Sequence, residues 1–383
     1  MGLDAEVVIV GGGPAGLSLA LFMGALDPAL LSRTLLLERA RYPREKVCAG
    51  AIAGHALRRL ASIDALPDVP HVDVRGLAAT TRFGRVEVRR EETAGWVVRR
   101  VEFDAALATL ARNRGLELRE GSAVQRVNVA STREIVVTLD DGTALRTKFL
   151  VGADGVGSIV RRSLKLPKGP LLARAVEVDT PITSREAHDV LHFDLTAGDL
   201  RGYSWDFPTP LGGRTAMCHG VYDLGPSIRD PGERLAARPQ PAPLAKARRF
   251  GERGVSLGQA MGQGNVLLIG EAAGIDPVLG EGIAQAISYG EMAARLVIAK
   301  QREREARFEH AQGPLLRGRL GLDLHVRGRA LGFTYGRTRA LVERAIVADD
   351  ALARAGLDYF AGRRVSRRDL AGALLAFARS GLG

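Results

Sequence analysis

The stretch that decides the fold is residues 5–16, AEVVIVGGGPAG, in which an apolar run leads straight into a glycine-rich turn. An apolar, β-branched run is typical of a strand that is buried on both faces of a parallel sheet. The turn carries Gly11, Gly13 and Gly16 in the spacing G-x-G-x-x-G, and an apolar segment that indicates a helix follows it. The order of strand, glycine turn and helix predicts the opening of a β-α-β unit.

The glycine turn has the features of a dinucleotide site. Glycine lacks the Cβ that would prevent a tight turn, close approach of the backbone to a pyrophosphate, and packing of helix against strand. The helix that begins at Pro14 and Ala15 would direct N–H groups and its positive dipole end toward the phosphates. Glu38 ends a second apolar run, 22 residues after Gly16, where a carboxylate accepts hydrogen bonds from a ribose; Arg39 follows it.

Two further apolar strands are predicted to end in polar turns of small residues. The first runs into Asp154 and Gly155, and the second runs into Gly270 and Glu271. Residues 276–282, DPVLGEG, come shortly afterwards and precede a long predicted helix. The N-terminus of that helix would stabilise an anion or an electron-rich ring.

These three segments resemble, in order and spacing, the FAD-dependent oxidoreductases that share the p-hydroxybenzoate hydroxylase fold, and the resemblance covers residues 1–300. It implies an extended FAD, with the pyrophosphate at the glycine turn and the adenosine ribose at Glu38. Glu271 would bind a ribityl hydroxyl, although most members carry Asp there. The other residues that the resemblance places at the cofactor are Val124, Asp154, Gly155, Gly270, Pro277, Gly280, Gly282 and Ile283.

Two more segments narrow the resemblance to the geranylgeranyl reductases. Residues 43–50, PREKVCAG, are similar to the Pro-x-x-Lys-x-Cys-Gly-Gly loop of that family, with Ala49 in place of the first glycine. This likeness adds Lys46, Cys48 and Ala49 to the expected cofactor contacts, and a matching segment around Arg100 implies that this residue approaches the FAD. Residues 203–208, YSWDFP, match the family's Tyr-x-Trp-x-Phe-Pro motif, which lines the apolar substrate cavity.

The aromatic motif and the cysteine each have two interpretations. Tyr203, Trp205 and Phe207 alternate along one predicted strand, so their side chains share one sheet face. That face suits an extended apolar ligand, but it equally suits an ordinary hydrophobic core. The resemblance favours the ligand. Cys48 is our candidate catalytic residue, as a redox-active or proton-donating thiol, and the competing interpretation is an inert small side chain.

The overall pattern predicts an α/β fold. We expect a Rossmann-type FAD-binding domain, an inserted antiparallel β-sheet domain for the substrate, and a helical C-terminal region. We also expect a strand meander over 116–150, and loop and helix over 225–250. The domain assignments are 1–75, 95–170 and 255–300 for FAD, 76–94 and 171–254 for the substrate, and 301–383 for the helices.

The distribution of charge bears on the partners. The net charge is +11, and residues 300–383 hold 17 Lys and Arg against 9 Asp and Glu. This basic segment predicts either a solvated helical face or peripheral contact with an anionic membrane. No aromatic-rich motif accompanies it, so nucleic acid is not an expected partner. Two cysteines and the lack of a leader or a long apolar run indicate a cytoplasmic protein that is at most peripheral to a membrane.

The motifs predict an FAD-dependent oxidoreductase that acts on a lipophilic, prenylated or polyketide-like substrate. The favoured reaction is hydride transfer from reduced flavin to an alkene. The alternative is a class A-type monooxygenase that hydroxylates or epoxidises an aromatic or prenylated metabolite, because reductases and monooxygenases share the glycine motifs. A flavin-dependent halogenase is less favoured, because Tyr203 and Phe207 replace residues of its motif. A non-enzymatic flavin-binding protein is also less favoured, because only Ala49 and Glu271 depart from the pattern.

The sequence leaves two kinds of electron donor open. The sequence has no second glycine-rich dinucleotide motif, so NAD(P)H would bind only transiently or a partner reductase would supply the electrons. No metal-ligand spacing is found among its cysteines and histidines, so we expect no metal.

Overall fold

The computed structural model describes residues 2–129, 134–167, 172–183, 187–225, 229–256, 258–301, 303, 307–315 and 318–380. Its strands are β1 (Ala5–Val10), β2 (Thr34–Glu38), β3 (Ala51–Ala53), β4 (His71–Val74), β5 (Gly76–Thr81), β6 (Gly84–Arg89), β7 (Gly95–Val98), β8 (Glu117–Glu120), β9 (Val124–Val129), β10 (Ile135–Leu139), β11 (Ala144–Gly152), β12 (Leu172–Pro181), β13 (Val190–Asp194), β14 (Gly202–Leu211), β15 (Arg214–Asp223), β16 (Arg248–Arg253), β17 (Gly262–Gln263) and β18 (Val266–Leu268). Its helices are α1 (Pro14–Leu26), α2 (Pro28–Leu31), α3 (Gly54–Ala61), α4 (Arg100–Asn113), α5 (Ile159–Ser163), α6 (Pro231–Ala237), α7 (Gly282–Gln301), α8 (Gln312–Leu315), α9 (Gly318–Tyr335), α10 (Arg339–Ala348), α11 (Ala351–Phe360) and α12 (Arg367–Ser380). One turn of 3-10 helix covers Gly270–Ala272.

The first sheet is of the Rossmann type and has the strand order β17-β18-β11-β1-β2-β8. β1 lies between β11 and β2 and pairs in parallel with both. Val7, Val8 and Ile9 are fully buried, as the apolar run of this strand predicts. Helices α1 and α7 pack so closely that a Cβ built on Gly290 would lie 2.6 Å from the Cβ of Ser18. The predicted Rossmann-type α/β fold is therefore confirmed.

One detail of the strand prediction for residues 116–150 was wrong. β8 does not join a meander: it pairs in parallel with β2, with Leu35 opposite Glu117. Only β9, β10 and β11 form the antiparallel ribbon. The preceding helix α4 is 14 residues long, which is enough chain to carry β8 across to the parallel edge of the sheet.

The second sheet has the strand order β16-β12-β15-β14-β13-β5-β6. Its described pairs are antiparallel, as predicted for the inserted sheet, except that β13 runs parallel to β5. The loop and helix predicted over 225–250 include α6, but the chain enters β16 at Arg248. The apolar alternation that would have indicated β16 is weak because arginines occupy this edge strand. One of them, Arg248, pairs with Glu177 and Asp179 of β12.

The remaining elements surround these two sheets. β3, β7 and β4 form a small antiparallel sheet, which the sequence analysis did not predict. The C-terminal region is helical as expected, and Leu331 and Tyr335 of α9 lie in the same buried cluster as Tyr203 and Trp205 of β14. None of the described helices combines the length and the apolar character needed to cross a lipid bilayer. The residue limits of the three domains stay a prediction.

Candidate functional site

The three glycines of the first turn are required for different reasons. Gly11 has a φ of +103°, and a Cβ there would lie 2.5 Å from the carbonyl oxygen of Ala153. A Cβ on Gly16 would overlap the carbonyl oxygen of Gly11. Gly13 has an ordinary extended backbone, and its Cβ would meet only Arg100 Nη2, at 3.8 Å. The chain itself therefore needs the first and third glycines, whereas the second leaves the N-terminus of α1 open to close approach by a ligand.

Two arginine side chains lie at the N-terminus of this helix, and both contact the same fully buried carboxylate. Arg100 donates two hydrogen bonds to Asp104, at 2.7 and 2.6 Å. Arg44 Nη1 lies 3.2 Å from the same carboxylate, and its Nη2 donates to the carbonyl of Gly12 at 2.9 Å. Two positioned guanidinium groups beside a helix N-terminus suit a diphosphate. Arg100 was predicted from the sequence, but Arg44 was missed, although it stands directly after Pro43 in the quoted segment.

Glu38 lies at the end of β2, directly beside the glycine turn. Its carboxylate accepts the backbone N–H of Gly12 at 2.8 Å. Its carbonyl accepts the N–H of Ser122 at 2.9 Å, and this bond brings the start of β9, where Val124 is partly buried, to the same end of the sheet. Arg39 is exposed beyond this strand. The structure thus groups these predicted residues at the carboxyl edge of the parallel strands, where α/β folds bind nucleotides.

The second and third motifs meet the first at this edge. One oxygen of Asp154 accepts backbone N–H groups at the start of α5, and its Oδ1 is buried without a hydrogen-bond partner among the described residues. Glu271 accepts the N–H of Val156 at 3.2 Å, which joins the Asp-Gly turn to the 3-10 helix. A Cβ on Gly270 would lie 2.8 Å from the Cβ of Ala15, so this helix sits against the first turn of α1.

Comparison with known protein families decides which nucleotide this edge binds. The family described as FAD binding domain matches residues 4–202, which is more than half of the chain. This chain belongs to the FAD-binding oxidoreductases. The predicted cofactor, FAD, is therefore confirmed. The glycine turn of this flavoprotein lies within the matched residues.

Relatives of known activity support the same assignment. A menaquinone reductase of Mycobacterium tuberculosis is 30% identical to the flavoprotein over 323 residues, which are 77% of this chain and 76% of the relative. A geranylgeranyl diphosphate reductase of Rhodobacter capsulatus is 28% identical over 309 residues, 77% and 75% of the two chains. A solved structure of a geranylgeranyl bacteriochlorophyll reductase-like protein from Thermoplasma acidophilum has a TM-score of 0.70 at 19% identity, covering 99% and 97%. The predicted resemblance to geranylgeranyl reductases is confirmed.

The residues of the flavoprotein fit FAD. The open backbone at Gly13 and the guanidinium groups of Arg44 and Arg100 would hold the pyrophosphate. The unpartnered Oδ1 of Asp154 would accept a hydrogen bond from a hydroxyl of the cofactor. This bond would remove the free-energy cost of a buried oxygen without a partner. When bound, FAD supplies two-electron redox chemistry that no side chain provides.

Three tyrosine hydroxyls hold the loop that leads into α7. They donate hydrogen bonds to the backbone carbonyls of three successive residues, 277–279. Two of the tyrosines lie on strands of the second sheet, and the third lies on α9. The bonds are Tyr222 to Pro277 at 3.4 Å, Tyr335 to Val278 at 2.8 Å and Tyr203 to Leu279 at 2.5 Å. Gly280, Gly282 and Ile283, which the sequence predicted at the flavin, directly follow this anchored segment. Tyr203 was predicted from the sequence, but the other two tyrosines were not, although alternation along β15 could have indicated Tyr222.

An ion-pair network joins the same loop to the C-terminal helices. Arg327 of α9 binds Asp276 and lies 2.7 Å from a carboxylate oxygen of Glu281. Burial works against ionisation of Glu281, but Arg327 and His55 outweigh it and lower the pKa of this carboxyl to about 2. Burial lowers the pKa of His55. The basic C-terminal region therefore contributes directly to the site, which the sequence analysis did not predict.

Cys48, Lys46 and Ala49 lie in the segment between β2 and β3. Cys48 is half-buried; burial raises the pKa of its thiol, and nearby Arg100 offsets the effect only in part. The thiol is therefore protonated at neutral pH, which argues against a standing thiolate nucleophile. Ala49 packs against the aromatic cluster, so the segment passes between the cofactor edge and the second sheet.

The aromatic side chains form one continuous buried face on the second sheet. The ring centroid of Trp205 lies 6.2 Å from that of Tyr203 and 6.3 Å from that of Phe207. Phe193 of β13 stands 5.2 Å from the rings of both Tyr203 and Phe207, and Tyr222 stacks on Tyr203 at 5.4 Å. This aromatic face, made by Phe193, Tyr203, Trp205, Phe207 and Tyr222, ends at the loop that the tyrosines anchor.

Proposed function

We propose that the flavoprotein reduces a carbon–carbon double bond in a lipophilic, prenyl-type substrate. The observation that carries the proposal is the aromatic face, which ends at residues 276–282, next to the expected flavin position. An extended row of rings suits a hydrocarbon chain with isolated double bonds. The names of the two sequence relatives, a menaquinone reductase and a geranylgeranyl diphosphate reductase, support the same substrate class.

The chain's own residues would bind and orient the substrate. Tyr203, Trp205 and Phe207 would line the hydrocarbon chain together with Leu331 of α9, which belongs to the same buried cluster. This packing would exclude water, which favours delivery of a hydride to carbon over side reactions. Reduced FAD supplies that hydride when bound. The expected cofactor contacts named from the sequence are part of this proposal.

A single-turnover experiment under argon tests the function. Protein that contains FAD is reduced with dithionite, separated from the excess reductant and mixed with geranylgeranyl diphosphate, which has no quinone ring that could itself take up two hydrogen atoms. We expect flavin reoxidation and a product that has gained two hydrogen atoms by mass spectrometry. Substrate that is unchanged under argon but carries an added oxygen atom after oxygen is admitted would contradict alkene reduction and establish the monooxygenase alternative.

The two tryptophans of the chain supply a matched pair of variants. Trp205 lies on the aromatic face, whereas Trp96 lies on β7 and stacks on His71 at a centroid distance of 4.0 Å. We expect W205F to raise the KM for the prenyl substrate and W96F to leave it unchanged. Equal effects of both substitutions would contradict a substrate role for the aromatic face.

The electron donor is tested on the same protein. We propose that NAD(P)H binds transiently or that a partner reductase donates the electrons. Stopped-flow mixing with NADH or NADPH under argon, followed at the flavin absorbance, separates the two. Rapid bleaching by either nucleotide supports direct reduction, and no bleaching by both supports a protein donor.

We also propose that the outer face of the C-terminal helices rests on an anionic lipid surface. Leu322 and Val326 of α9 and Leu374 of α12 expose 64%, 56% and 71% of their surface. Phe333 and Phe377 pair at 5.7 Å and bring the two helices together. Exposed arginines in the same region include Arg329, Arg337, Arg364, Arg367 and Arg368. Apolar side chains surrounded by arginines suit anionic headgroups.

Vesicle flotation tests the lipid contact. Wild-type protein should float with phosphatidylglycerol vesicles and stay behind with phosphatidylcholine vesicles. L374D should reduce flotation, whereas L244D, which introduces the same charge at another exposed leucine, should not. Equal flotation of both variants, or flotation independent of lipid charge, would contradict this contact.

A further inference from the structure

A buried carboxyl group lies on the same sheet face as the aromatic side chains, and it is not one of the expected cofactor contacts. In β16, Glu252 is opposite Ala173 of β12, and Phe250 is opposite Ala175. Ala175 is in turn opposite Tyr222 of β15. Residues that are directly opposite or two apart share a sheet face, so Glu252 is on the same face as the aromatic side chains.

The same carboxyl group touches the loop that precedes α7. A Cβ built on Gly280 would lie 3.0 and 3.1 Å from the two carboxylate oxygens of Glu252, and 3.1 Å from the ring of Tyr222. Gly280 also has a φ of +67°, so a side chain there would be strained as well as crowded. Glu252 therefore stands where the aromatic face meets the segment expected to contact the flavin.

The surroundings of Glu252 favour its neutral form. The residue is 6% exposed, and its Oε1 is buried without a hydrogen-bond partner among the described residues. Burial, followed by the charges of Glu271 and Asp276, raises the pKa of Glu252 well above its usual value, and Lys46 opposes this only in part. The hydroxyl-bearing rings of Tyr203 and Tyr222 also face it and carry no charge at neutral pH. A neutral carboxylic acid is a proton donor.

We propose that Glu252 is the acid that protonates the substrate during alkene reduction; this inference rests on the function proposed above. Of the two alkene carbons, one takes the hydride of reduced flavin and the other takes the carboxyl proton of Glu252. The π bond breaks, two C–H bonds form, and Glu252 becomes a carboxylate that regains a proton from water. The alkene is reduced and the flavin oxidised by two electrons, so the step balances.

The nearby alternatives to Glu252 fit this role less well. Glu177, on the same face, also has a buried oxygen without a partner, but the rise of its pKa on burial is opposed by its pairing with Arg248 at 3.0 Å, and no such ion pair of Glu252 is found among the described residues. The thiol of Cys48 is a weaker acid than a carboxyl group, and burial weakens it further. Glu252 combines a protonated carboxyl, an oxygen without a partner and contact with the loop that precedes α7.

Two measurements on E252Q test the proposal. The first is an infrared titration from about pH 6 to about pH 10, a window far above the ordinary Glu pKa of about 4.3. We expect the carbonyl stretch of a protonated carboxylic acid in wild type and in the control E87Q, which changes an exposed Glu of the same sheet. Above about pH 8, where Glu177 with its pKa of about 7 is ionised, E252Q should lack the band. The absence of this band from wild type would overturn the proposal, whatever the substrate is.

The second measurement is the single-turnover rate with a prenyl substrate. E252Q should bind FAD and accept electrons from dithionite as wild type does, because Gln reproduces the shape of the neutral acid. We expect reduction of the alkene to slow by about 100-fold or more, and the fall in rate at high pH to disappear. A rate equal to that of wild type would overturn the role of Glu252 alone, whereas failure of wild type itself to reduce the alkene would overturn the proposed function and this role with it.

Discussion

Arg327 of α9 lies 2.7 Å from a carboxylate oxygen of Glu281, although the two residues are 46 positions apart. The pair joins a C-terminal helix to the residue that precedes α7, beside the segment expected at the flavin. Both side chains are largely buried, so water is a poor alternative partner for either charge. The C-terminal helices are therefore a structural part of the site.

Removal of Arg327 should destabilise the whole protein. R327M would leave Asp276 and Glu281 buried without their cation, which typically costs about 3–5 kcal/mol. Urea unfolding measures this change, and hydrogen exchange should rise in residues 276–282. R295M is the control, because Arg295 pairs with Glu291 at the surface and such a pair contributes about 0–1 kcal/mol. Equal destabilisation by both variants would contradict a special role of the Arg327 pair.

The glycine turn allows binding of FAD to be separated from folding. G13A should leave the stability of the apoprotein unchanged, because the added Cβ meets only one atom, at 3.8 Å. It should weaken FAD binding by about 10–100-fold, the equivalent of one charge-assisted hydrogen bond. G16A should destabilise the apoprotein, because its Cβ overlaps a backbone oxygen. Calorimetry and FAD titration check both variants, and full FAD retention by G13A would contradict the pyrophosphate assignment.

Glu177 should make stability fall as the pH rises toward neutrality. Burial raises the pKa of Glu177 from 4.5 to about 7, and Arg248 compensates only in part. The folded protein then holds a proton that the unfolded chain has released, so this contribution is fully present below pH 4.5 and is lost toward pH 7. The loss is about 3 kcal/mol. Unfolding of wild type and E177Q at several pH values measures it. A pH profile in E177Q that matches wild type would contradict the shift, and E87Q serves as the exposed control.

Cys48 should react slowly with alkylating reagents at neutral pH. Burial raises the pKa of its thiol, so the thiolate fraction stays small until the solution is strongly alkaline. The measurement is the iodoacetamide rate against pH in a C218S background, with mass spectrometry to locate the label. Rapid labelling at neutral pH would contradict the raised pKa and favour a reactive thiolate.

Much of the candidate cofactor site was predictable because its signals are local. The glycine turn, Glu38 and the Asp-Gly turn each stand at the end of a buried strand, and parallel strands bring their carboxyl ends to one edge. The strand β8 was misassigned because apolar runs do not show which partner a strand pairs with. β16 was not predicted because its arginines obscure the alternation that is typical of an edge strand.

The sequence by itself determined that this chain is an FAD-binding oxidoreductase with an aromatic face, since those signals need only neighbours along the chain. Only the tertiary structure decided that Arg327 and Tyr335 hold the loop at residues 276–282, and that Glu252 ends the aromatic face. Such contacts depend on the register of β16 and on the way α9 packs. Register and packing result from burial of the whole core, so no short stretch of sequence specifies them.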